Sequence, residues 1–526
     1  MITTPLPAGS LRATSLNASR RAEELSAVAD DELDVLVVGG GVTGTGVALD
    51  AAARGLSVAL VEAEDLAWGN SRWSSKLVDG DLTSLTAGDV LTARESAVER
   101  GVLMTRTAPH LVRTMPQLIP LHESASRRAE LLLTAGLRAG DALRRAARTP
   151  SSALPAPRRI SAPEALALVP GLRAAGLRGG LLGFDGQLVD DARLVIALAR
   201  TAAGFGARVL TRVRVTALHR DGADAVDERS GESLRIRARS VVNATGVWAG
   251  VLAPEVQLRA ERSAHLVVDA DAAGLAGTSL IAPLPNGGFL RFLPQPDGRA
   301  YLGTTGGETL DVPADLSVPG AHESDVDMLL SAVRDLLGTP LERTHVIGSF
   351  AALRAVAEGS GGSRLRRRME PLARRHSVLT SPDGVVTVAG GRLTTYRRAA
   401  ADAVDTAIEA AGMPAGPSRT TAVALVGAAG RHQLCDIEAD ARLVGKYGTE
   451  AVRVAALSEL DPDLADTVAP GLTAAEVLWA VRHEGALDVD DVLDRRTRIG
   501  LDPQARAAAR PSVAELVNRA LEGVWA

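Results

Sequence analysis

Residues Asp34–Val38 form a short apolar run rich in β-branched side chains, and Gly39-Gly40-Gly41-Val42-Thr43-Gly44 follows without a break. A helix-favouring stretch, Val47–Arg54, is closed by Gly55, and a second apolar run, Ser57–Val61, ends in Glu62. Strand, glycine turn, helix and strand within about 30 residues make a βαβ unit and open a parallel sheet. Each glycine has its own physical reason. Gly39 allows a tight turn, Gly41 lets a pyrophosphate approach the backbone, and Gly44 lets helix and strand pack closely. The helix N-terminus offers N–H groups and a positive dipole end to phosphates. Thr43 lies in the same turn. Glu62, 23 residues after Gly39, is placed to accept hydrogen bonds from ribose hydroxyls. The spacing predicts a dinucleotide site.

Two features favour FAD over a nicotinamide. The fingerprint opens a chain of 526 residues, far longer than one dinucleotide domain needs. The segment Val241-Val242-Asn243-Ala244-Thr245-Gly246 then reads as a strand ending in a small-residue turn, as if a split sheet were re-entered. Helices are expected over 124–148, 190–205 and 323–337, and from about Thr395. Strands are expected over 209–218 and 234–242, as a series of short strands over 265–303, and over 384–391. The fold expected is α/β: a Rossmann-like FAD domain with an inserted antiparallel-sheet substrate domain and a helical C-terminal domain. In boundaries, residues 1–30 are an N-terminal tail or leading helix. Residues 31–412 are the oxidoreductase domain, with substrate-domain parts within about 77–190 and 250–380. Residues 413–526 are the helical domain.

Composition narrows the function. With 58 basic and 63 acidic residues the net charge is −5, which gives no sign of nucleic-acid binding. The single cysteine, Cys435, forbids an intrachain disulfide and a thiolate metal cluster, and no metal site is expected. No run of about 18 apolar residues offers a membrane span, and residues 1–30 lack the apolar centre of a signal peptide. A cytoplasmic protein is expected, with peripheral contact at the inner face of the plasma membrane as the alternative. That contact has a candidate. The 126–148 segment carries Arg127, Arg128, Arg138, Arg144, Arg145 and Arg148 together with a leucine stripe, the pattern of a helix lying on anionic lipid.

Further stretches carry a family likeness. Gly69-Asn70-Ser71-Arg72-Trp73-Ser74-Ser75-Lys76-Leu77 resembles the flavin-contacting segment of aerobic, FAD-dependent glycerol-3-phosphate dehydrogenases. Ala108–Val112, Asp185–Arg193, Leu293–Gly298 and Val489–Arg498 match in the same order, so the likeness covers roughly residues 30 to 505. It implies a fold like that of D-amino-acid oxidase, FAD, glycerol 3-phosphate as substrate and a membrane quinone as acceptor. The FAD is expected to be noncovalent, because no His or Cys in the fingerprint region is placed for a flavin linkage and Cys435 lies in the helical tail. A homodimer is compatible with it. It assigns FAD contacts to Gly39, Gly41, Thr43, Gly44, Glu62, Ser71, Ser74, Ser75, Lys76, Gly246, Gly391 and Thr394. Arg354 stands at the substrate-phosphate arginine, and His265 at an active-site histidine, the candidate base. Arg392 stands where the family carries a lysine.

The chain also departs from that pattern. The family's apolar-His-Gly-Gly-Leu-Arg-Tyr-Leu is Val78-Asp79-Gly80-Asp81-Leu82-Thr83-Ser84-Leu85 here, so a substrate-contacting Arg and Tyr become Thr83 and Ser84. Two carboxylates, Asp79 and Asp81, arrive beside them. Arg392 keeps a positive charge but cannot act as a base. Gly306, Ser263 and Ala355 replace an Asp, a Gly and a Pro. If Asp79 and Asp81 face the pocket they oppose a phosphate dianion; if they face solvent the effect is screened. The arginines at 364, 366, 367, 368, 374 and 375 are a candidate compensation. Three readings stay open: oxidation of glycerol 3-phosphate, oxidation of another small substrate, or a flavin-binding paralogue with little turnover.

Overall fold

The computed structural model describes residues 10–86, 88–123, 126–284, 288–312, 320–357 and 375–525. The arginines at 364, 366, 367, 368 and 374 lie outside these. Arg375 lies within them and faces Glu95 at 3.6 Å.

Five strands run parallel at the heart of the first sheet, in the order Val386–Gly390, Ser233–Asn243, Glu32–Val38, Val58–Glu62 and Arg208–Thr211. His376–Thr380 adds an antiparallel edge. The central strand is apolar on both faces because both are covered, as parallel sheets require. Val37 pairs with Leu60 on one side and Val242 on the other, all inaccessible to solvent. On one face pack the helices Val42–Ala53, Asp191–Gly204 and Tyr396–Ala411. On the other lie the helix Ala18–Asp30, through Val28, and a hairpin of Val213–His219 with Gly222–Asp227. Residues 18–30 thus form a docked leading helix. Asn17 caps it by accepting the Arg20 N–H at 2.9 Å, and Arg21 reaches Asp227 and the Thr211 carbonyl.

One expected strand is two. The run 209–218 breaks at Arg212, whose φ of +59° no regular strand accepts. The Arg212 N–H donates to the Glu64 carbonyl at 2.9 Å, and its guanidinium is shared by Glu64, Asp488 and Asp491. These partners offset the strained backbone.

The second sheet is mostly antiparallel and is built from the two insertions. Leu258–Asp269, Arg299–Thr304, Phe289–Pro294, Ser279–Pro283, Val112–His122 and Leu177–Leu188 lie side by side, with Val346–Ala357 beyond Leu258–Asp269. The helix Glu323–Arg334 covers one face through Val326, Leu329 and Val333. The helix Arg127–Ala146 covers part of the other through Leu133 and Leu137. That second face turns toward the first sheet, through Arg291 and its contact with Asp79.

The C-terminal residues form short helices around two small cores, with the longest helix at Pro503–Leu521. Their attachment to the rest of the chain is ionic and buried. Asp65 accepts from Arg495 at 2.7 Å and from Arg496 at 2.7 and 3.0 Å, and Asp491 takes the other side of Arg495. Arg193 meets Glu484 at 2.6 Å, and Arg498 bridges Asp190, Gln295 and Tyr301. The run Val489–Arg498 is therefore a clamp between domains.

Candidate active site

The fingerprint turn fixes one end of an elongated cavity of about 540 Å³, a size typical of ligand sites. Gly39 has φ +111°, and a Cβ there would strike the Ala244 carbonyl. A Cβ on Gly44 would overlap the Gly39 carbonyl oxygen, so helix and strand touch there. Gly41 differs. Its φ of −80° suits any residue, and a Cβ would meet only the Ser71 hydroxyl, at 3.0 Å. The space is left for something outside the protein. At the same point the helix Val42–Ala53 begins, and the Val42 N–H donates to Ser71 Oγ at 2.9 Å. That hydroxyl keeps its own proton for an anion.

Glu62 accepts from the Gly40 N–H at 2.5 Å and from the Glu64 N–H at 2.9 Å, one bond per oxygen. Burial raises its pKa against those two bonds. Each oxygen retains a lone pair for ribose hydroxyls. Thr43, Ser74, Gly246 and Gly391 also line the cavity. The turn, the helix N-terminus, the bare Gly41 and Glu62 together fit an adenine dinucleotide.

Three expected cofactor residues do not line this cavity: Ser75, Lys76 and Thr394. Lys76 is 2% exposed, paired with Asp191, and donates to the Arg72 carbonyl at 2.7 Å. Ser74 accepts the Lys76 N–H and donates to Asp191 at 2.7 Å. These contacts hold the Asn70–Leu77 loop in shape, with Lys76 itself at φ +62°. Thr394 is buried at the foot of the Tyr396–Ala411 helix.

At the far end the cavity reaches Arg354 and Arg392. Arg354 lies opposite Glu261 in the strand register and is ion-paired with it. Arg392 follows two glycines at φ +72° and +85°, which turn the chain sharply after Val386–Gly390. Its guanidinium faces Asp79 at 3.3 Å and contacts Asp81. Both new carboxylates therefore point inward, at cations. Burial would raise the pKa of Asp79, but Arg392 and Arg291 outweigh it and hold it at about 2. Asp81 also accepts the Ser84 N–H at 3.0 Å, capping the helix Leu82–Thr86. With φ +58° at Asp81, the glycine of the family pattern is explained; aspartate is among the few other residues that tolerate this conformation.

His265 lies beyond the lined cavity, on the sheet face that turns toward it. It is 7% exposed and stacks on Phe350, with centroids 4.9 Å apart and planes at 2°. The ring lies over Gly303, where a Cβ would come within 2.7 Å of Nε2. Nδ1 is 3.3 Å from the Ser263 carbonyl, which only accepts, so Nδ1 carries the proton and Nε2 the lone pair. Burial pushes the pKa down to about 4, with Lys76 and Arg291 adding to the effect, so the ring is neutral near pH 7.

Sequence reasoning missed Arg291, Arg100 and Asp185. Arg291 meets Asp79 at 3.0 Å, while Arg100 pairs with Asp185, which accepts the Gly80 N–H at 3.0 Å. The available signal was a lone arginine inside the apolar strand Phe289-Leu290-Arg291-Phe292-Leu293. Among the described residues no group of His, Cys, Asp and Glu could hold a metal ion.

Comparison with known proteins agrees with this geometry. The family described as FAD dependent oxidoreductase matches residues 34–397, and the C-terminal domain of alpha-glycerophosphate oxidase matches residues 418–525. The chain is 46% identical over 514 residues to glycerol-3-phosphate dehydrogenase 1 of Mycobacterium tuberculosis, covering 96% of this chain and 99% of that protein. It is 35% identical over 531 residues to glycerol-3-phosphate dehydrogenase 2 of the same organism, covering 96% and 88%. The X-ray structure of the glycerol-3-phosphate dehydrogenase from Bacillus halodurans complexed with FAD shares the fold, with a TM-score of 0.73 at 24% identity over 97% of each chain. The chain thus belongs to the FAD-dependent oxidoreductases, in the branch of the glycerol-3-phosphate dehydrogenases.

Proposed function

We propose that this chain oxidises sn-glycerol 3-phosphate to dihydroxyacetone phosphate and passes the electrons to a membrane quinone. The observation that carries the substrate is identity of 46% along nearly the whole of both chains with a protein named for it. Bound FAD supplies the two-electron acceptor for the hydride from C2. His265 Nε2 takes the hydroxyl proton, since its lone pair is fixed by the Ser263 contact. Arg354 and Arg392 hold the phosphate, because guanidinium forks match its oxygens. Phe350 and Trp73, stacked 5.5 Å apart, keep water from the back of the imidazole.

Turnover of glycerol 3-phosphate with an artificial electron acceptor tests the proposal, and its absence would reject it. The same assay carries a pH prediction. A base with a pKa of about 4 makes kcat/KM rise with pH through about 4 and stay level above it. The substrate's own phosphate ionises near 6 and gives a separate inflection. A further limb near 6.5 that vanishes in His265→Gln would show a solvated imidazole instead.

The quinone requires membrane contact, and among the described residues no helix is long and apolar enough to cross a bilayer. The helix Arg127–Ala146 supports contact from one side. Leu133 and Leu137 face the sheet, while Leu131 and Leu132 are 70% and 57% exposed beside Arg127, Arg128 and Arg138. Arg144 leaves the basic set, because it is buried on Asp141 and the Thr149 carbonyl. Each basic residue near anionic lipid is worth about 1 kcal/mol. Co-sedimentation with anionic vesicles is expected at low salt, and is expected to weaken with added salt and in Leu131→Gln/Leu132→Gln. Protein left in the supernatant at low salt would refute the contact.

A further inference from the structure

The family pattern brings a substrate-contacting arginine on the helix that is Leu82–Thr86 here, and this chain has Thr83 there. A phosphate dianion is best held by more than one guanidinium. The structure offers another from a different direction. His265, Gly303 and Arg291 stand in one row across three antiparallel strands, paired His265 to Gly303 and Gly303 to Arg291. Directly paired residues point to the same face, so Arg291 rises from the sheet on the side of His265. Neighbouring strands lie about 4.8 Å apart, which puts the two backbones on the order of 10 Å from each other. The imidazole leans over Gly303, the residue between them.

Arg291 is largely buried, its side chain 14% exposed, and its Nε has no hydrogen-bond partner among the described residues. Among the described residues its ion-pair partner is Asp79, the carboxylate that also faces Arg392 at 3.3 Å. Asp79 thus sits between two guanidiniums, one lining the cavity and one beside the histidine, while Asp81 contacts Arg392 from another side. Asp79 has the charge type of a substrate phosphate and fewer oxygens to offer. A buried cation pair without some anion between it would be costly, so the protein carries its own.

We propose that Arg291 supplies the phosphate-binding guanidinium that the Leu82–Thr86 helix does not carry, and that Asp79 is the internal anion that substrate phosphate displaces from Arg291 and Arg392. The substrate then spans the row, its C2 hydroxyl at His265 Nε2 and its phosphate held by Arg291 together with Arg392 and Arg354. The loss at Thr83 and the gain at Asp79 become two parts of one exchange. Removing the arginine weakens phosphate binding; removing the carboxylate strengthens it. A merely structural ion pair would respond to both changes in the same direction.

The inference rests on the glycerol 3-phosphate reading, and the experiment separates the two. FAD-loaded wild type is assayed with glycerol 3-phosphate and an artificial acceptor; no turnover sinks the reading, and the inference with it. Given wild-type turnover, Arg291→Met is expected to raise KM at least tenfold with kcat within threefold, and Arg291→Lys to recover part of the loss. Inorganic phosphate as a competitive inhibitor is expected to lose at least tenfold in potency in Arg291→Met. Asp79→Asn is expected to lower KM severalfold. Unchanged KM and phosphate inhibition in Arg291→Met, or a raised KM in Asp79→Asn, would overturn the inference while leaving the reading intact. Should Arg291→Met lose its flavin, Arg291→Lys is read in its place, and a KM equal to wild type there rejects the proposal.

Discussion

Gly41→Val is expected to purify as a folded, colourless protein, with FAD affinity reduced about a hundredfold or more, equivalent to roughly 2.7 kcal/mol. The reasoning depends on what each glycine meets. At φ −80° the Gly41 backbone accepts valine without strain, and its Cβ touches only a hydroxyl at 3.0 Å. The added methyls project into the cavity beside the helix N-terminus, where the pyrophosphate must lie. Binding is lost while the fold is kept. Gly44→Val is the contrast, because its Cβ overlaps the Gly39 carbonyl and forces the Val42–Ala53 helix off the sheet. That variant is expected to fail in expression rather than in colour. Flavin content by absorbance and secondary structure by circular dichroism separate the two outcomes. A yellow Gly41→Val protein with stoichiometric FAD would show that the turn is not the cradle.

Asp65→Ala is expected to cost about 3–5 kcal/mol, because it leaves the buried Arg496 without its counter-charge and Arg495 with Asp491 alone. Arg495 and Arg496 are 1% and 2% exposed, and three hydrogen bonds of 2.7 to 3.0 Å converge on the Asp65 carboxylate. For a cooperative unit of 150–250 residues this lowers the thermal midpoint by roughly 6–20 °C. Arg343→Ala serves as the control. It removes exposed pairs to Glu323 and Asp327, and its midpoint is expected to stay close to that of wild type because solvent screens such pairs. A midpoint in Asp65→Ala within 2 °C of wild type would show that the interdomain clamp is dispensable. The cluster also sets an acid limit. Burial opposes ionisation of Asp65, but Arg496 and Arg495 depress its pKa to about 2. A depressed carboxylate stabilises the fold above its unfolded pKa near 4, and that contribution fades as pH falls through about 2.

Much of the nucleotide-binding half was legible in the chain because its constraints are local. Gly39, Gly41, Gly44 and Glu62 lie within one βαβ unit, and Val241–Gly246 announced its own return to the sheet. The substrate end was legible only in part. Thr83, Ser84, Asp79 and Asp81 stood out as departures, yet the direction of the two carboxylates depends on Arg392 and Arg291, more than 200 residues away. No periodicity encodes that meeting. Lys76 shows a related separation: its neighbours in sequence carry the family likeness, while its ammonium pairs with Asp191, 115 positions away. The run Val489–Arg498 was visible as a motif, but its work as a clamp appears only where Asp65 closes a gap of some 430 positions.

The flavin sheet is assembled from distant pieces, and this has a consequence for how the protein is born. Glu32–Val38 and Val58–Glu62 leave the ribosome early, but the neighbour of Asn243, the strand Val386–Gly390, follows more than 300 residues later. At about 5–20 residues per second, that interval is roughly 15–65 s. For the last part of it, the roughly 7–29 s between Asn243 and Val386 at that rate, the Ser233–Asn243 strand exposes an open edge of the kind that invites pairing with other chains. The nascent protein must therefore wait, with its nucleotide cradle half built, for residues that have not yet been translated. Chaperone dependence during synthesis, and rescue of yield by slower growth at low temperature, are what such an architecture demands of its host.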